Sequence, residues 1–370
     1  MSCLAALRLG RGAPPCSKCV ELGKTLLMST SPGRTGTDLE PSVRAIATEE
    51  ALSGVVRLDL DDEIAAEVAF GQSHRGPGVE MTTDAQLAIA SGNKAFTALV
   101  VMSLVEQGDL ALDSRVRSIL GDDLPLVDDR VTVEHLLAHR SGIGDYLDED
   151  VVEDPDAYLM PVPVHQLVTT DDYIPILDGH PAKFTPGERF AYCNSGYVIL
   201  AMITERVSGR SFHDLVDERV CKPAGMADTA FLRSDSLPGR AALGYLDDHG
   251  FTTNVFHLPV LGSGDGGIYT TAADIHAFWN ALMAGRIVSP ETVTEMTHPR
   301  SVATDGLRYG LGFWLGPGGT VSIHGFDTGV GFVSVHDPSL HLTLSVLSNK
   351  TRGAWPCSQR ILKMVTGSRS

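Results

Sequence analysis

A serine and a lysine stand three residues apart in Ser91-Gly92-Asn93-Lys94, where an apolar pattern typical of an amphipathic helix begins. Positions three apart share a helix face, so the Lys94 amine can reach the Ser91 hydroxyl. A serine becomes a strong nucleophile when a base takes its proton, and a lysine can be that base if burial lowers its pKa. The helix N-terminus supplies N–H donors suited to an oxyanion. The pair indicates attack on a carbonyl, although such pairs are also common on solvated helix surfaces.

A second group of candidate residues is Tyr192-Cys193-Asn194. A phenol can relay a proton when a nearby cation, here Lys94, lowers its pKa. The Asn194 amide can donate to a carbonyl or hold the lysine. The alternative is that Tyr192 packs in the core and Asn194 shapes the turn before the next helix. Only the presence of the Ser91–Lys94 pair favours the catalytic interpretation.

A third candidate segment is the glycine-rich, strand-like stretch 322–332, which contains His324, Gly325 and Phe326. Glycines let backbone N–H groups approach a ligand closely, as an oxyanion hole or a substrate-binding strand requires. We expect these three residues to contact or orient the substrate. The alternative is a bulge or hairpin with an incidental histidine.

Strand patterns lie at both ends of the chain and helical patterns lie between them. Apolar runs at 54–60 and 64–70 flank an acidic turn and predict a hairpin. Neither end has enough strands for a sheet of its own, so we expect the two ends to share one antiparallel sheet. The other predicted strands are 320–324, 330–336 and 341–347. One predicted helix follows Ser91 and is ended by Gly108, and the others are 197–207, 272–283 and 358–365.

The expected architecture is α+β or α/β, with a central antiparallel sheet flanked by helices and a large, mainly helical region. We predict a flexible tail over residues 1–40, with organised structure from about Ser53. Residues 41–120 together with 255–370 form the sheet-containing part, and residues 121–254 the mainly helical part. A cleft between these parts is the expected place for a site.

Composition restricts the classes of partner. The chain has 370 residues, of which 43% are hydrophobic, and Lys plus Arg total 29 against 46 Asp plus Glu, a net charge of −17. A chain this acidic repels phosphate backbones and anionic lipid, so neither nucleic acid nor a membrane is expected as a partner. No apolar run reaches the length of a membrane span. A small-molecule substrate remains, and the sequence does not indicate an oligomeric state.

The cysteines and the N-terminal segment point to no cofactor and no export. Cys16 and Cys19 form a lone C-x-x-C, without the second ligand pair of a zinc site or the strand-to-helix setting of a redox motif. We therefore expect no metal and no organic cofactor. The first residues lack a secretory signal pattern, and Met28 is a possible natural start. These features predict a cytoplasmic protein.

In this order, the three candidate segments resemble those of the serine β-lactamase and penicillin-binding-protein superfamily. The likeness is greatest to its class C-like branch, which includes D-aminopeptidases and family VIII esterases, and it extends over about residues 50–350. Five flanking stretches also resemble motifs of that branch: LLAHRSGI (136–143), FTPG (184–187), PAGMADT (223–229), GGIYTTAAD (266–274) and YGLGF (309–313).

The resemblance implies a β-lactamase-like fold and a role for each matching residue. Ser91 would attack an ester or amide carbonyl with Lys94 as its base, and Tyr192 would carry the proton to the leaving group. Asn194 would orient Lys94 or the substrate, and an N–H after His324 would complete the oxyanion hole with that of Ser91. The third motif departs from the family, because the family's glycine stands two positions after its Lys or His, where this chain has Phe326. That departure weakens the expectation of carboxylate recognition.

We therefore predict a serine hydrolase that forms an acyl-enzyme on Ser91 and acts as an esterase, amidase or D-aminoacyl peptidase. Phe326 suggests an apolar rim, which favours esters, lactones or hydrophobic amides. Alternatives are an acyltransferase that uses the same acyl-enzyme, a β-lactamase, or a catalytically dead binding protein of the same fold.

Overall fold

Strands from both ends of the chain form the main sheet. The computed structural model describes residues 39–149, 151–152, 158–303 and 306–367. In chain order the strands are β1 (Gly54–Leu60), β2 (Glu63–Phe70), β3 (Gln72–His74), β4 (Val79–Glu80), β5 (Leu87–Ala88), β6 (Ala230–Phe231), β7 (Ile268–Thr270), β8 (Ser301–Val302), β9 (Arg308–Tyr309), β10 (Trp314–Leu315), β11 (Val321–Asp327), β12 (Val330–Asp337) and β13 (Leu342–Ser348). The main sheet has the order β2-β1-β13-β12-β11-β10-β9-β8, so the predicted sharing of one antiparallel sheet by the two chain ends is confirmed.

Helices cover both faces of this sheet. In chain order they are α1 (Leu39–Glu49), α2 (Lys94–Gln107), α3 (Val116–Leu120), α4 (Val133–Leu137), α5 (Ile174–Leu177), α6 (Asn194–Ser208), α7 (Phe212–Val216), α8 (Lys222–Ala224), α9 (Ala272–Met283), α10 (Pro290–Met296) and α11 (Ala354–Thr366). On one face α1 and α11 pack against the sheet and share an apolar core with it. On the other face a larger core contains α2, α6 and α9. Strands covered on both faces are buried at nearly every position, as β13 is along its whole length.

Helix α2 runs through the centre of the larger core. Every residue from Lys94 to Leu104 is buried. A helix that is apolar on all sides is typical of a buried position, whereas the spacing of its apolar residues predicts an amphipathic helix with one solvated face. That prediction is wrong for these three turns. Gly108 ends the helix as expected, with a left-handed backbone (φ +79°).

The N-terminal prediction requires a correction. Regular structure is already present at Leu39, ahead of the predicted start near Ser53: helix α1 places Leu39, Val43 and Ile46 against the sheet. The rest of the predicted tail lies outside the described residues, and so do Cys16, Cys19 and Met28. At the other end, α11 begins four residues before the predicted start at 358.

The middle of the chain contains short helices and long irregular connections. Between 121 and 254, the long regular elements are α6 and the continuous helical stretch 212–224, whose centre, Asp217–Cys221, is a π-helix. Within the described residues 138–193 the helical segments are short, and they lie at 164–166 and 171–177. "Mainly helical" thus describes the regular elements of this region rather than most of its residues, and the division into two parts stays a prediction.

Among the helices of the described ranges, none combines the length and the apolar character needed to cross a membrane.

Candidate active site

Ser91 lies on a sharp turn between a strand and the central helix. Strand β5 pairs with β7, and the Ile89 N–H continues this pairing by donating to the Ile268 carbonyl at 3.1 Å. The chain then turns through Ala90, whose φ of +44° lies in the left-handed region that side chains other than glycine rarely adopt. A 3₁₀ turn, Ala90–Asn93, runs directly into α2. This turn fixes Ser91 at the N-terminal end of a buried helix.

The Lys94 amine occupies the centre of the site. Its side chain is 2% exposed, and Nζ lies 2.8 Å from Ser91 Oγ, 2.8 Å from Asn194 Oδ1 and 2.9 Å from the Asp265 carbonyl oxygen. Burial lowers the pKa of Lys94 from its usual value. The carboxyl groups that oppose this shift are those of Asp265, Glu149, Asp145 and Asp327. The direction of the net shift favours the neutral amine, which can accept the Ser91 proton.

The first turn of α6 orients Asn194. Its backbone N–H donates to Asp145 Oδ2 at 2.9 Å, and the Ser195 N–H donates to Asp145 Oδ1 at 2.8 Å. The buried Asp145 carboxylate therefore satisfies two free N–H groups of this helix N-terminus. The Asn194 Nδ2 group donates to the Leu147 carbonyl at 3.0 Å and to Glu149 Oε1 at 3.2 Å. Because both of these partners are acceptors, Oδ1 is the amide atom that faces Lys94.

The Tyr192 ring lies beside the lysine. Lys94 Nζ is 4.9 Å from its centroid. The ring packs on His139 with centroids 4.3 Å apart, and it is nearly parallel to Trp314 at 6.4 Å. Ser91, Lys94, Tyr192 and Asn194, which come from two distant parts of the sequence, thus meet in one place.

In the third segment, Gly325 faces the Ser91 turn. A Cβ at this position would stand 1.8 Å from the Ile89 carbonyl oxygen and 2.9 Å from the Gly92 nitrogen, so only a glycine fits. On the neighbouring strand β12, Phe332 is paired with Gly325 and its ring lies against Gly92. Side chains alternate along a strand, so His324 and Phe326 project from the opposite face of β11.

His324 lies among aromatic rings rather than beside Ser91. Its ring stacks on Trp314 at 5.9 Å and meets the edge of Trp355 at 5.2 Å. Neither ring nitrogen has a hydrogen-bond partner among the residues that the structure describes, and burial lowers the pKa of His324 to about 3. Trp314 therefore separates His324 from Tyr192. Phe326 is 36% exposed, and contact of either residue with a substrate stays a prediction.

Several residues of the site were not predicted from the sequence. Asp265 provides the third hydrogen-bond partner of Lys94 Nζ through its peptide carbonyl, and its own carboxylate accepts from the Tyr146 hydroxyl at 2.5 Å. Burial raises the pKa of Asp265. Glu149 keeps access to solvent, yet protein atoms surround its carboxyl and this desolvation raises its pKa to about 7. The available signal was the flanking stretch 266–274, which begins directly after Asp265, and the stretch 136–143, which precedes Glu149 in the sequence.

No group of three or more His, Cys, Asp or Glu side chains in the described ranges is arranged to hold a metal ion.

Comparison with known proteins gives consistent matches over most of the chain. The family model described as Beta-lactamase matches residues 42–360. A D-aminopeptidase of Brucella anthropi is 29% identical over 75% of this chain and 51% of its own length, and the esterase EstB of Burkholderia gladioli is 28% identical over 68% and 71%. The crystal structure of a penicillin binding protein from Bacillus halodurans superposes with a TM-score of 0.82 at 33% identity, covering 87% of this chain and 99% of that one.

Proposed function

Because the chain belongs to the Beta-lactamase family, we propose that it is a serine hydrolase that cleaves a small ester or amide through an acyl-enzyme on Ser91. The observation that carries this proposal is the 2.8 Å contact between Ser91 Oγ and the buried Lys94 Nζ. A lysine whose charged form is disfavoured by burial can act as the general base that a serine nucleophile needs.

In the first half of the reaction, neutral Lys94 accepts the Ser91 proton while Oγ forms a bond to the substrate carbonyl carbon. The carbonyl π electrons move to oxygen and give a tetrahedral oxyanion. When this intermediate collapses, the bond to the leaving alcohol or amine breaks. The leaving group receives the proton that Lys94 took. The Tyr192 hydroxyl relays this proton, since the Tyr192 ring lies beside Nζ.

In the second half, water replaces the leaving group. The same basic groups take a proton from the water, its oxygen attacks the acyl carbon, and Ser91 is released with its proton restored. The products are a carboxylic acid and a free enzyme. Asn194 holds Nζ in place throughout, because Oδ1 accepts from the lysine while Nδ2 stays bound to Leu147 and Glu149.

The charges around the site favour a neutral or cationic substrate. Four carboxyl groups lie close enough to act on Lys94, as described above. A substrate carboxylate would be repelled by those that are ionised. Two relatives are named a D-aminopeptidase and an esterase, and these names agree with the proposed cleavage of an amide or an ester.

The test is the intact-protein mass after incubation with a fluorophosphonate probe, for the wild type, Ser91→Ala and the surface control Ser118→Ala. We expect one adduct on the wild type and on Ser118→Ala, and none on Ser91→Ala. Turnover of an activated ester should fall at least ~10³-fold in Ser91→Ala with little change in Tm. An unlabelled wild type, or turnover that survives in Ser91→Ala, would refute the proposal.

A further inference from the structure

One histidine binds the Tyr192 segment on both sides of the tyrosine. The Ala191 N–H donates to the His139 carbonyl at 2.9 Å, and the Cys193 N–H donates to His139 Nδ1 at 3.1 Å. The two hydrogen bonds therefore fix the peptide groups immediately before and after Tyr192. Asn194 follows directly, so its position depends on the same attachment.

The imidazole also forms the surface on which the tyrosine lies. His139 is 1% exposed, and its ring centroid is 4.3 Å from that of Tyr192. Tyr197 and Tyr309, at 5.0 Å and 4.9 Å, hold the imidazole from other directions. A ring enclosed in this way cannot turn freely. The packing of the core therefore fixes the imidazole, and the imidazole fixes the Tyr192 ring that packs on it.

The backbone of His139 is held in an unusual conformation. Its φ of +54° lies in the left-handed region, which is uncommon for a histidine. Neighbouring hydrogen bonds keep the chain there: Ser301 Oγ donates to the Ala138 carbonyl at 2.9 Å, and the Arg140 N–H donates to the His135 carbonyl at 2.7 Å. Strain that the surroundings maintain is frequent where a side chain must be aimed.

The protonation state of His139 follows from its partner. Nδ1 accepts from a backbone N–H, so the ring proton of the neutral imidazole is on Nε2. Burial, with a smaller effect of the Lys94 charge, keeps the pKa of His139 well below its usual value. The imidazole is therefore a neutral acceptor, and it is not the group that moves the proton in the reaction described above.

We propose that His139 is a positioning residue for the acyl transfer, one that fixes Tyr192 and Asn194 as a single unit facing Lys94. This inference rests on the proposed function. It assigns to the histidine of the 136–143 stretch a task that differs from general acid or base catalysis.

Two substitutions remove the imidazole ring of His139 but differ in whether the hydrogen bond from the Cys193 N–H can still form. In His139→Asn the side-chain Oδ1 can take the place of Nδ1, and asparagine tolerates a left-handed backbone well. In His139→Gln the amide lies too far along the side chain to accept from the Cys193 N–H. His135→Gln is the matched control, because His135 stands one helical turn away and its Nδ1 accepts from the Thr132 N–H at the start of α4.

We expect His139→Gln to lower kcat for an activated ester by about 10²-fold with little change in KM, because small displacements of catalytic groups have effects of this size. His139→Asn should stay within about tenfold of the wild type, and His135→Gln should match it. The pH profile of kcat/KM should also shift in His139→Gln, because a displaced Asn194 changes the surroundings of the Lys94 amine. A purely structural role would lower Tm and leave this profile in place.

The inference is overturned if His139→Gln behaves as His135→Gln does, or if folded His139→Asn loses as much activity as His139→Gln. If His139→Gln does not fold, the kcat of His139→Asn alone decides. Crystal structures of the variants give a readout that does not need activity: Tyr192 and Asn194 should move in His139→Gln and stay in place in His139→Asn. A wild type without a fluorophosphonate adduct would refute the proposed function, and the crystallographic comparison would still decide the positioning.

Discussion

At the scale of single residues, the charge on Glu149 acts on Lys94, the proposed catalytic base. Glu149 Oε1 accepts from the amide of Asn194, whose other end holds Lys94 Nζ. Its negative charge raises the pKa of Lys94 and so opposes the effect of burial. Glu149→Gln removes that charge, and the Lys94 pKa should then fall further. Because the base works in its neutral form, the rising limb of kcat/KM should move to lower pH.

The measurement is kcat/KM for a neutral activated ester between pH 5 and 9, with Glu63→Gln as the control. Glu63 is exposed at the start of β2, on the N-terminal hairpin. With the pKa of Glu149 near 7, the wild-type and Glu149→Gln profiles should differ most above that pH and converge below it. If the rising limb of kcat/KM stays in place in Glu149→Gln, or moves to higher pH, then the charge on Glu149 does not raise the pKa of Lys94 as described.

The four residues that meet around Lys94 were candidates from the sequence because the chemistry proposed for them depends on side-chain type. Ser91 and Lys94 have the spacing of one helix face, and Tyr192 and Asn194 stand just before a second helix. Asp265 could not be predicted in the same way, since it binds Lys94 through its peptide carbonyl. Every residue has that group, so no residue type marks the position.

At the scale of elements, the distance between β11 and the Ser91 turn depends on Gly325. The methyl group of Gly325→Ala would collide with backbone atoms of Ile89 and Gly92, which cannot rotate away. The strand would have to move from the turn, and overpacking of this kind costs about 1–3 kcal/mol. Both the free energy of unfolding and kcat should fall. The measurements are urea unfolding and ester turnover.

The control for that substitution is Gly76→Ala, in the turn between β3 and β4. A Cβ there would have no heavy atom of the described residues within 4 Å, so stability and turnover should stay near the wild type. Native stability together with native turnover in Gly325→Ala would show that β11 is not held against the turn.

Elements with a strong local pattern were predicted well, and those defined by tertiary contacts were not. The hairpin of β1 and β2 and the helix α9 agree with their predicted ranges within about one residue. Helix α1 was missed although its buried residues recur at helical spacing. The residues before α1 are rich in Gly, Pro, Ser and Thr, and this composition favoured the prediction of a flexible tail that extended into the helix. What makes α1 a helix is the sheet face it covers.

At the scale of the whole molecule, β13 joins the two ends of the chain. It lies between β1 and β12, with seven paired positions from Gly54 opposite Ser348 to Leu60 opposite Leu342. Two strands further along, β11 carries the glycine that faces Ser91. The N-terminal hairpin is therefore part of the sheet that supports the candidate site, although none of the four residues that meet around Lys94 lies in it.

A core substitution at the junction of β1 and β13 should consequently loosen the sheet well beyond the hairpin. Val56 and Val346 are paired across these strands, and both are fully buried. Val56→Ala should lower the free energy of unfolding by about 2 kcal/mol, because it removes two buried methyl groups. Val302→Ala, at a position 61% exposed on the edge strand β8, should change the free energy of unfolding by less than about 0.5 kcal/mol.

Hydrogen exchange should accelerate in β1, β12 and β13 together in Val56→Ala, since strands that open as one unit share one opening free energy. Acceleration confined to β1 and β2 would mean that the hairpin opens by itself, and that the site does not depend on the joining of the chain ends.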